Sequence, residues 1–508
     1  MHPPRELPHH GGIDVSAARP NTAERPVTAD GPYTASKPNI LFIFADDQRF
    51  DTIGALGNPA VHTPSLDRLV ARGTAFTHAH IPSGTNAAIC MPSRAMLHTG
   101  RSLFRLVESG QGIPADHRTL GETLRAHGYR SFGCGKWHNG KESYQRSFGE
   151  GDEIFFGGMA DHWNVPAFHY DPTRAYDSVL YEIREPQKTN QVTERRCDHI
   201  HAGRHSTDII SDAAVRFLED YDGKDPFFLY VSFLAPHDPR SMPREYLDMY
   251  DAAKVELPPN FMGGHPFDNG ELLVRDELLA GFPRTPAETR RHIAEYYAMI
   301  THLDAGIGRI LGALDRSGHA ENTIVVFAAD NGLAVGQHGL FGKQNCYEHS
   351  VRVPLIFAGP GIPRGETRSA YVYLHDLFPT LCELIGIDVP ESVDGISFKK
   401  AFDHPALRHR ETLYFAYREL HRAVKDDRYK LIEYVVGGRH VMTQLFDLYE
   451  DPWETRNLAG DPAYAGILVR LRGELVRHSH EWGDRRSKWG QVFWPAFDAT
   501  PKDVPARP

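Results

Sequence analysis

Hydrophobic residues in this chain come in short continuous runs that end in charge, separated by longer stretches of helical period. The first run is Asn39–Ala45, followed at once by Asp46 and Asp47. A run without alternation fits a strand buried on both faces of a parallel sheet. An amphipathic helix is expected over 64–72, with Thr63 as its N-cap. The alternation continues with a helix at 119–127 and a strand at 129–134, then a helix at 207–221 and a strand at 227–234. A long helix at 287–317 precedes a strand at 323–328, and a strand at 354–358 precedes a helix at 376–385. This order predicts an α/β fold, a large mixed and mostly parallel sheet flanked by helices.

From about residue 411 the pattern changes to short strands at 413–417, 422–425, 429–434 and 444–449, then a helix over 464–480. That reads as a small C-terminal antiparallel sheet with one helix. The expected organisation is a flexible N-terminal arm at 1–37, a main α/β domain at 38–405, a C-terminal subdomain at 406–490 and an irregular tail at 491–508.

The sheet reading locates the chemistry. Ligands of open α/β sheets bind beyond the carboxyl ends of the strands. Asp46 and Asp47 follow the first strand, Lys136 and His138 the second, His237 and Asp238 the third, and Asp330 and Asn331 the fourth. Four strands thus deliver polar groups to one edge. Asp46, Asp47, Asp330 and Asn331 offer only oxygen donors, which suit Ca²⁺ or Mg²⁺ rather than zinc. Without a cation, converging carboxylates would repel one another and some would be pushed towards the neutral form.

Composition narrows the partners. The 508 residues carry a formal charge of -10, without a long lysine or arginine run, so nucleic acid is not expected as a partner. An anionic substrate must instead be met by local positive charge in a cleft. Five scattered cysteines make no disulfide framework. No apolar run approaches the roughly 18 residues of a membrane span, so no membrane partner is expected either. The first 38 residues lack the apolar stretch of a secretory signal, which predicts a cytoplasmic chain, or a periplasmic or secreted one if a leader has been removed. Oligomeric state is not legible.

Residues 90–94 read Cys-Met-Pro-Ser-Arg and lead into a helix. With Gly135-Lys-Trp-His138, Ala235-Pro-His-Asp238, Ala329-Asp-Asn-Gly332 and the segment from Gly336 to Lys343, in this order, the chain over about 38–480 resembles a type I sulfatase of the alkaline phosphatase superfamily. Leu445 to Glu454, with Asn457 and Leu458, resembles that family's C-terminal subdomain. Met91 departs from the pattern, which more commonly has a small polar residue there.

The resemblance implies that Cys90 is converted to formylglycine by a formylglycine-generating enzyme, and that its hydrate attacks sulfur. Asp46, Asp47, Asp330 and Asn331 would hold a calcium ion, with Mg²⁺ as the alternative, and the modified Cys90 would reach it. Arg94 and His138 would orient and activate the hydrate, and Lys136 would bridge it to the sulfate. Lys343 and His237 would bind the transferred group, with His237 near the leaving oxygen. His338 and Arg240 are candidate substrate contacts. The implied activity is hydrolysis of a sulfate monoester, of a sulfated carbohydrate or a small alkyl sulfate. The alternative is phosphonate monoester or phosphodiester hydrolysis on the same fold, where relatives tend to carry histidine at the position of Asn331. An unmodified binding protein is a third reading, disfavoured because idle converging charges are costly to keep. Loops at 157–171, 193–204, 260–284 and 417–421 are expected to set specificity.

Overall fold

In the computed structural model, which describes residues 37–183, 185 and 187–500, the most apolar run becomes the middle of the main sheet. That run, β1 (Asn39–Ala45), is buried at every position. The other strands of this sheet are β2 (Gly73–Phe76), β3 (Arg130–Lys136), β4 (Glu150–Phe155), β5 (Phe227–Ser232), β6 (Thr323–Ala329), β7 (Leu355–Ala358) and β8 (Glu366–Arg368), in the order β8-β2-β7-β6-β1-β5-β3-β4. The five strands from β6 to β4 run parallel. On the other side β7 is antiparallel to both β6 and β2, so the sheet is mixed as expected.

Helices cover both faces. The first, α1 (Pro64–Arg72), starts where the sequence places it, but Thr63 makes no capping bond. Its hydroxyl instead donates to Asp67 at 3.0 Å. The free N–H groups of Ser65 and Leu66 are taken by Asp304, at 2.9 and 2.8 Å, from a helix more than two hundred residues away. By contrast α3 (Leu120–Ala126), which follows α2 (Cys90–Thr99), carries the local capping box of Thr119 and Glu122. The longer helices that follow include α4 (Ser206–Asp220), the 31-residue α5 (Pro286–Arg316) that supplies Asp304, and α6 (Leu377–Leu384). All ten residues of α2 are buried, as a helix inside the fold must be.

The C-terminal strands β9 (Leu413–Tyr417), β10 (His421–Lys425), β11 (Tyr429–Val436) and β12 (Arg439–Asp447) form an antiparallel meander. Its fifth strand is Ser83–Gly84, paired parallel to β9 through Ala416 and Tyr417. The division expected near residue 405 is therefore crossed by sheet pairing, and the described residues from Lys37 to Thr500 fall in one compact unit. Two helices pack on this sheet rather than one: α7 (Ala465–Glu481) and α8 (Gly490–Asp498).

The second of these helices corrects the irregular tail expected at 491–508. Phe493, Trp494 and Phe497 share one face and are buried against Leu471 and Leu475. Trp494 Nε1 donates to Asp484 at 2.7 Å, on a carboxylate that also holds Arg422 at 2.6 Å. The proline and charge content of the tail masked an apolar i, i+1, i+4 pattern. Residues 501–508, and the arm expected at 1–37 apart from Lys37, lie outside the described residues.

Candidate active site and metal centre

The four strands that end in polar residues, β6, β1, β5 and β3, are neighbours in the sheet. Their carboxyl ends therefore open side by side. Asp46 and Asp47 leave β1, Asp330 and Asn331 leave β6, Lys136 ends β3 with His138 two residues on, and His237 follows β5. Across this edge lies the first turn of α2. Cys90 and Arg94, spaced i and i+4, stand on the same side of that helix.

Arg94 organises the floor. It is wholly buried, with Nε 2.9 Å from Asp330 Oδ2, and it donates through Nη1 to Ser232 Oγ at 2.6 Å and to the Lys136 carbonyl at 3.0 Å. Lys136 is bonded to Asp46, and Lys343 lies 2.6 Å from Asp47. His237 Nε2 is 3.6 Å from the other Asp47 oxygen, and its Nδ1 is held by the Asp238 carbonyl at 2.8 Å. Cys90 Sγ lies 3.4 Å from His138 Nδ1. Asp47 and His138 have φ of 62° and 72°, left-handed conformations that cost a non-glycine residue of order 1–3 kcal/mol. Tyr296 steadies Asp47 by donating to its carbonyl at 2.6 Å.

The donor set fits a hard cation on its own geometry. Asn331 donates through Nδ2 to Asp47 at 2.7 Å, which fixes the amide and leaves its Oδ1 buried without a partner. Asp46 Oδ1 is also buried and unpartnered. Ligand atoms of Asp46, Cys90 and Asp330 gather within 4.8 Å, as do those of Asp46, Asp47 and His237. Three carboxylates here face three permanent cations, Arg94, Lys136 and Lys343. A bound divalent ion would thus give the site the positive surplus an anionic ester requires.

Ionisation follows from burial and neighbours. Burial opposes the charge on Asp46, yet Lys136, His237 and Arg94 hold its carboxyl far below the ordinary range. Burial and the adjacent Asp46 push Asp330 up to about 7. Burial, then Lys136 and Arg94, bring His138 down to about 2, so its ring is neutral. Burial raises the Cys90 thiol.

A cavity of about 180 Å³ opens onto Cys90, His138, His237 and Lys343. Sequence reasoning missed the residues that complete its wall, Arg275, Asp276 and Gln344. Arg275 grips Asp238 through two nitrogens at 2.6 and 3.0 Å, and Gln344 bonds Asp276 at 2.7 Å. Arg275 and Asp276 fall in the 260–284 loop, and Gly158 and Met159 of the 157–171 loop also line the cavity. No residue of 193–204 or 417–421 does. His338 and Arg240 are also absent from the lining. His338 stacks on Tyr347 at 3.9 Å and bonds Asn260 at 3.1 Å, while Arg240 bonds His292 at 2.8 Å.

The family profile "Sulfatase" matches residues 38–387. The chain belongs to the sulfatase family. The profile "N-sulphoglucosamine sulphohydrolase, C-terminal" matches residues 336–481 of this sulfatase. An ulvan-active sulfatase of Formosa agariphila is 29% identical over 468 residues, covering 88% of this chain and 82% of that one. An N-acetylglucosamine-6-O-sulfatase of Bacteroides thetaiotaomicron is 25% identical, covering 88% and 87%. A solved structure in complex with D-glucosamine-2-N,6-O-disulfate superposes with a TM-score of 0.71 at 23% identity, covering 88% and 99%. The protein is a sulfuric ester hydrolase of the alkaline phosphatase superfamily. No disulfide joins any two of the five cysteines, and among the described residues no helix of this sulfatase is long and apolar enough to cross a membrane.

Proposed function

We propose that this sulfatase removes sulfate from a sulfated saccharide, using formylglycine at position 90 beside a calcium ion. The observation that carries the reading is the position of Cys90. Its Sγ sits on the floor of the cavity, grouped with Asp46 and Asp330 and 3.4 Å from a neutral His138. Asp46, Asp47, Asp330 and Asn331 would hold the ion, which when bound supplies Lewis-acid charge stabilisation. Formylglycine supplies a hydrated aldehyde as nucleophile, and a formylglycine-generating enzyme is the partner that would make it.

The chain's own groups do the rest. His138, neutral and 3.4 Å from the side chain at position 90, can accept a hydrogen bond from the group there and so orient it. Lys343, which lines the cavity, can stabilise negative charge that grows on the sulfuryl oxygens, worth roughly 2.7–4 kcal/mol if it acts as removed donors do in other enzymes, and Lys136 and Arg94 add positive charge from beneath. His237 donates Nδ1–H to the Asp238 carbonyl and lines the cavity; as the imidazolium it holds a second proton on Nε2 that can pass to the leaving alcohol oxygen. Arg275, half-exposed at the mouth, stands where the non-reacting part of a polar ring would lie.

The names of the two sulfatase relatives point to saccharide substrates, which supports the choice of substrate class. A peptide mass spectrum of active protein should show aldehyde or its hydrate at residue 90. Turnover should appear on sulfated mono- and oligosaccharides ahead of choline sulfate. An intact thiol in fully active protein would refute the mechanism, and faster cleavage of an aryl phosphonate than of the matching aryl sulfate would favour phosphonate monoesters instead.

A further inference from the structure

Away from the catalytic cleft, a buried carboxylate is held between two imidazoles. Glu153 is the extra residue of a bulge in edge strand β4: Cys134 pairs with Asp152 and Gly135 with Ile154, so Glu153 has no partner on β3. Its φ is 50°, in the left-handed region that a glutamate rarely adopts. Bulges of this kind re-aim a side chain. Glu153 is 5% exposed, with Oε2 2.9 Å from His199 Nε2 and Oε1 2.8 Å from His201 Nε2. The two histidines alternate across Ile200, so both rings fall on the same side of the chain.

No lysine or arginine pairs with Glu153 among the described residues. The nearby Arg216 is committed to Asp152 at 2.7 Å, as is His169 at 2.7 Å.

We propose that Glu153, His199 and His201 form a second metal site, which takes a divalent transition ion of the zinc type. Two nitrogens and one carboxylate suit a borderline ion, in contrast with the all-oxygen catalytic set. The three donor atoms already lie within 4.8 Å of one another. Ligands bonded tetrahedrally at roughly 2.0–2.1 Å stand about 3.3 Å apart, so the ion would enter by drawing the donors together and replacing the two carboxylate–imidazole hydrogen bonds. His201 is 35% exposed, which leaves a fourth position to water.

The consequence is structural. His199–Ile200 pairs with Pro166–Ala167, and Phe168 bridges to Ile154 of β4. The ion would pin this antiparallel pair to the edge strand. Between the two run Gly158 and Met159, which line the catalytic cavity.

The test uses the full chain with saturating calcium throughout, so that the catalytic site stays filled. Parent protein, Glu153→Gln and His201→Ala are exposed to zinc chloride, dialysed, and measured for bound metal and for thermal midpoint. The parent is expected to retain one more zinc equivalent per chain than either variant, and zinc is expected to raise the midpoint of the parent alone. Equal zinc in parent and variants, or none retained by the parent, overturns the site. If Glu153→Gln does not fold, His201→Ala carries the comparison, since that ring is partly exposed.

Discussion

Replacing Arg94 by leucine keeps a side chain in the floor of the site but removes the charged fork. Arg94 and Asp330 are both fully buried, and the guanidinium also serves the Lys136 carbonyl and Ser232. Removing one partner of a buried ion pair costs about 3–5 kcal/mol, because the other charge is left uncompensated. The two orphaned acceptors share that environment, so their losses are not added to it. At about 1.4 kcal/mol per tenfold change, the folding constant should fall by two to four powers of ten. Urea unfolding followed by tryptophan fluorescence, at fixed calcium, would measure this. Arg94→Lys restores the charge without the fork and should recover part of the loss. Excess calcium should shrink the Arg94→Leu deficit, since a bound divalent ion faces the same carboxylate. An Arg94→Leu protein with an unchanged urea midpoint would refute the reasoning.

Three further outcomes are expected. His98, packed on Trp137 at 4.2 Å, is brought down to about 3 by burial and then by Arg94. The unfolded chain binds this proton below about 6.5, so between the two values the unfolded state holds more protons and stability falls as pH falls. At pH 5 the gap of about 1.5 units is worth about 2 kcal/mol, and His98→Phe should gain that much on its parent between pH 7 and pH 5 in urea titrations. Trp494→Ala should cost about 3–5 kcal/mol by the same unfolding assay, whereas an irregular tail would show almost no effect. Calcium chelation should abolish aryl sulfate turnover, and calcium or magnesium should restore it better than zinc does, because the catalytic donors are oxygens.

The chemistry was legible wherever it was local. An apolar run ending in two aspartates, a cysteine motif opening a helix and strand ends carrying His, Lys and Asn all announce themselves within a few residues. The sheet then places them together without further information. What stayed hidden depends on partners far along the chain. Asp304 caps α1 from across the fold, and nothing near Ser65 signals it. Ser232 looks like any strand-end serine until Arg94 reaches it. Glu150–Phe155 has charged and small residues in its first half and no period, so the edge strand and its bulge leave little local trace. His338 sits in a motif-bearing loop, yet its ring is used for stacking on Tyr347, a choice made by packing rather than by neighbours in sequence.

The short strand Ser83–Gly84 sets an order of assembly. It lies six residues before Cys90, and its partners are Ala416 and Tyr417. Closing so long a loop is entropically late, so this edge stays open during synthesis until more than three hundred further residues have emerged. Once it is closed, Cys90 is 2% exposed. A maturation enzyme of the kind proposed above would therefore meet this thiol on an unfinished chain rather than on the folded one.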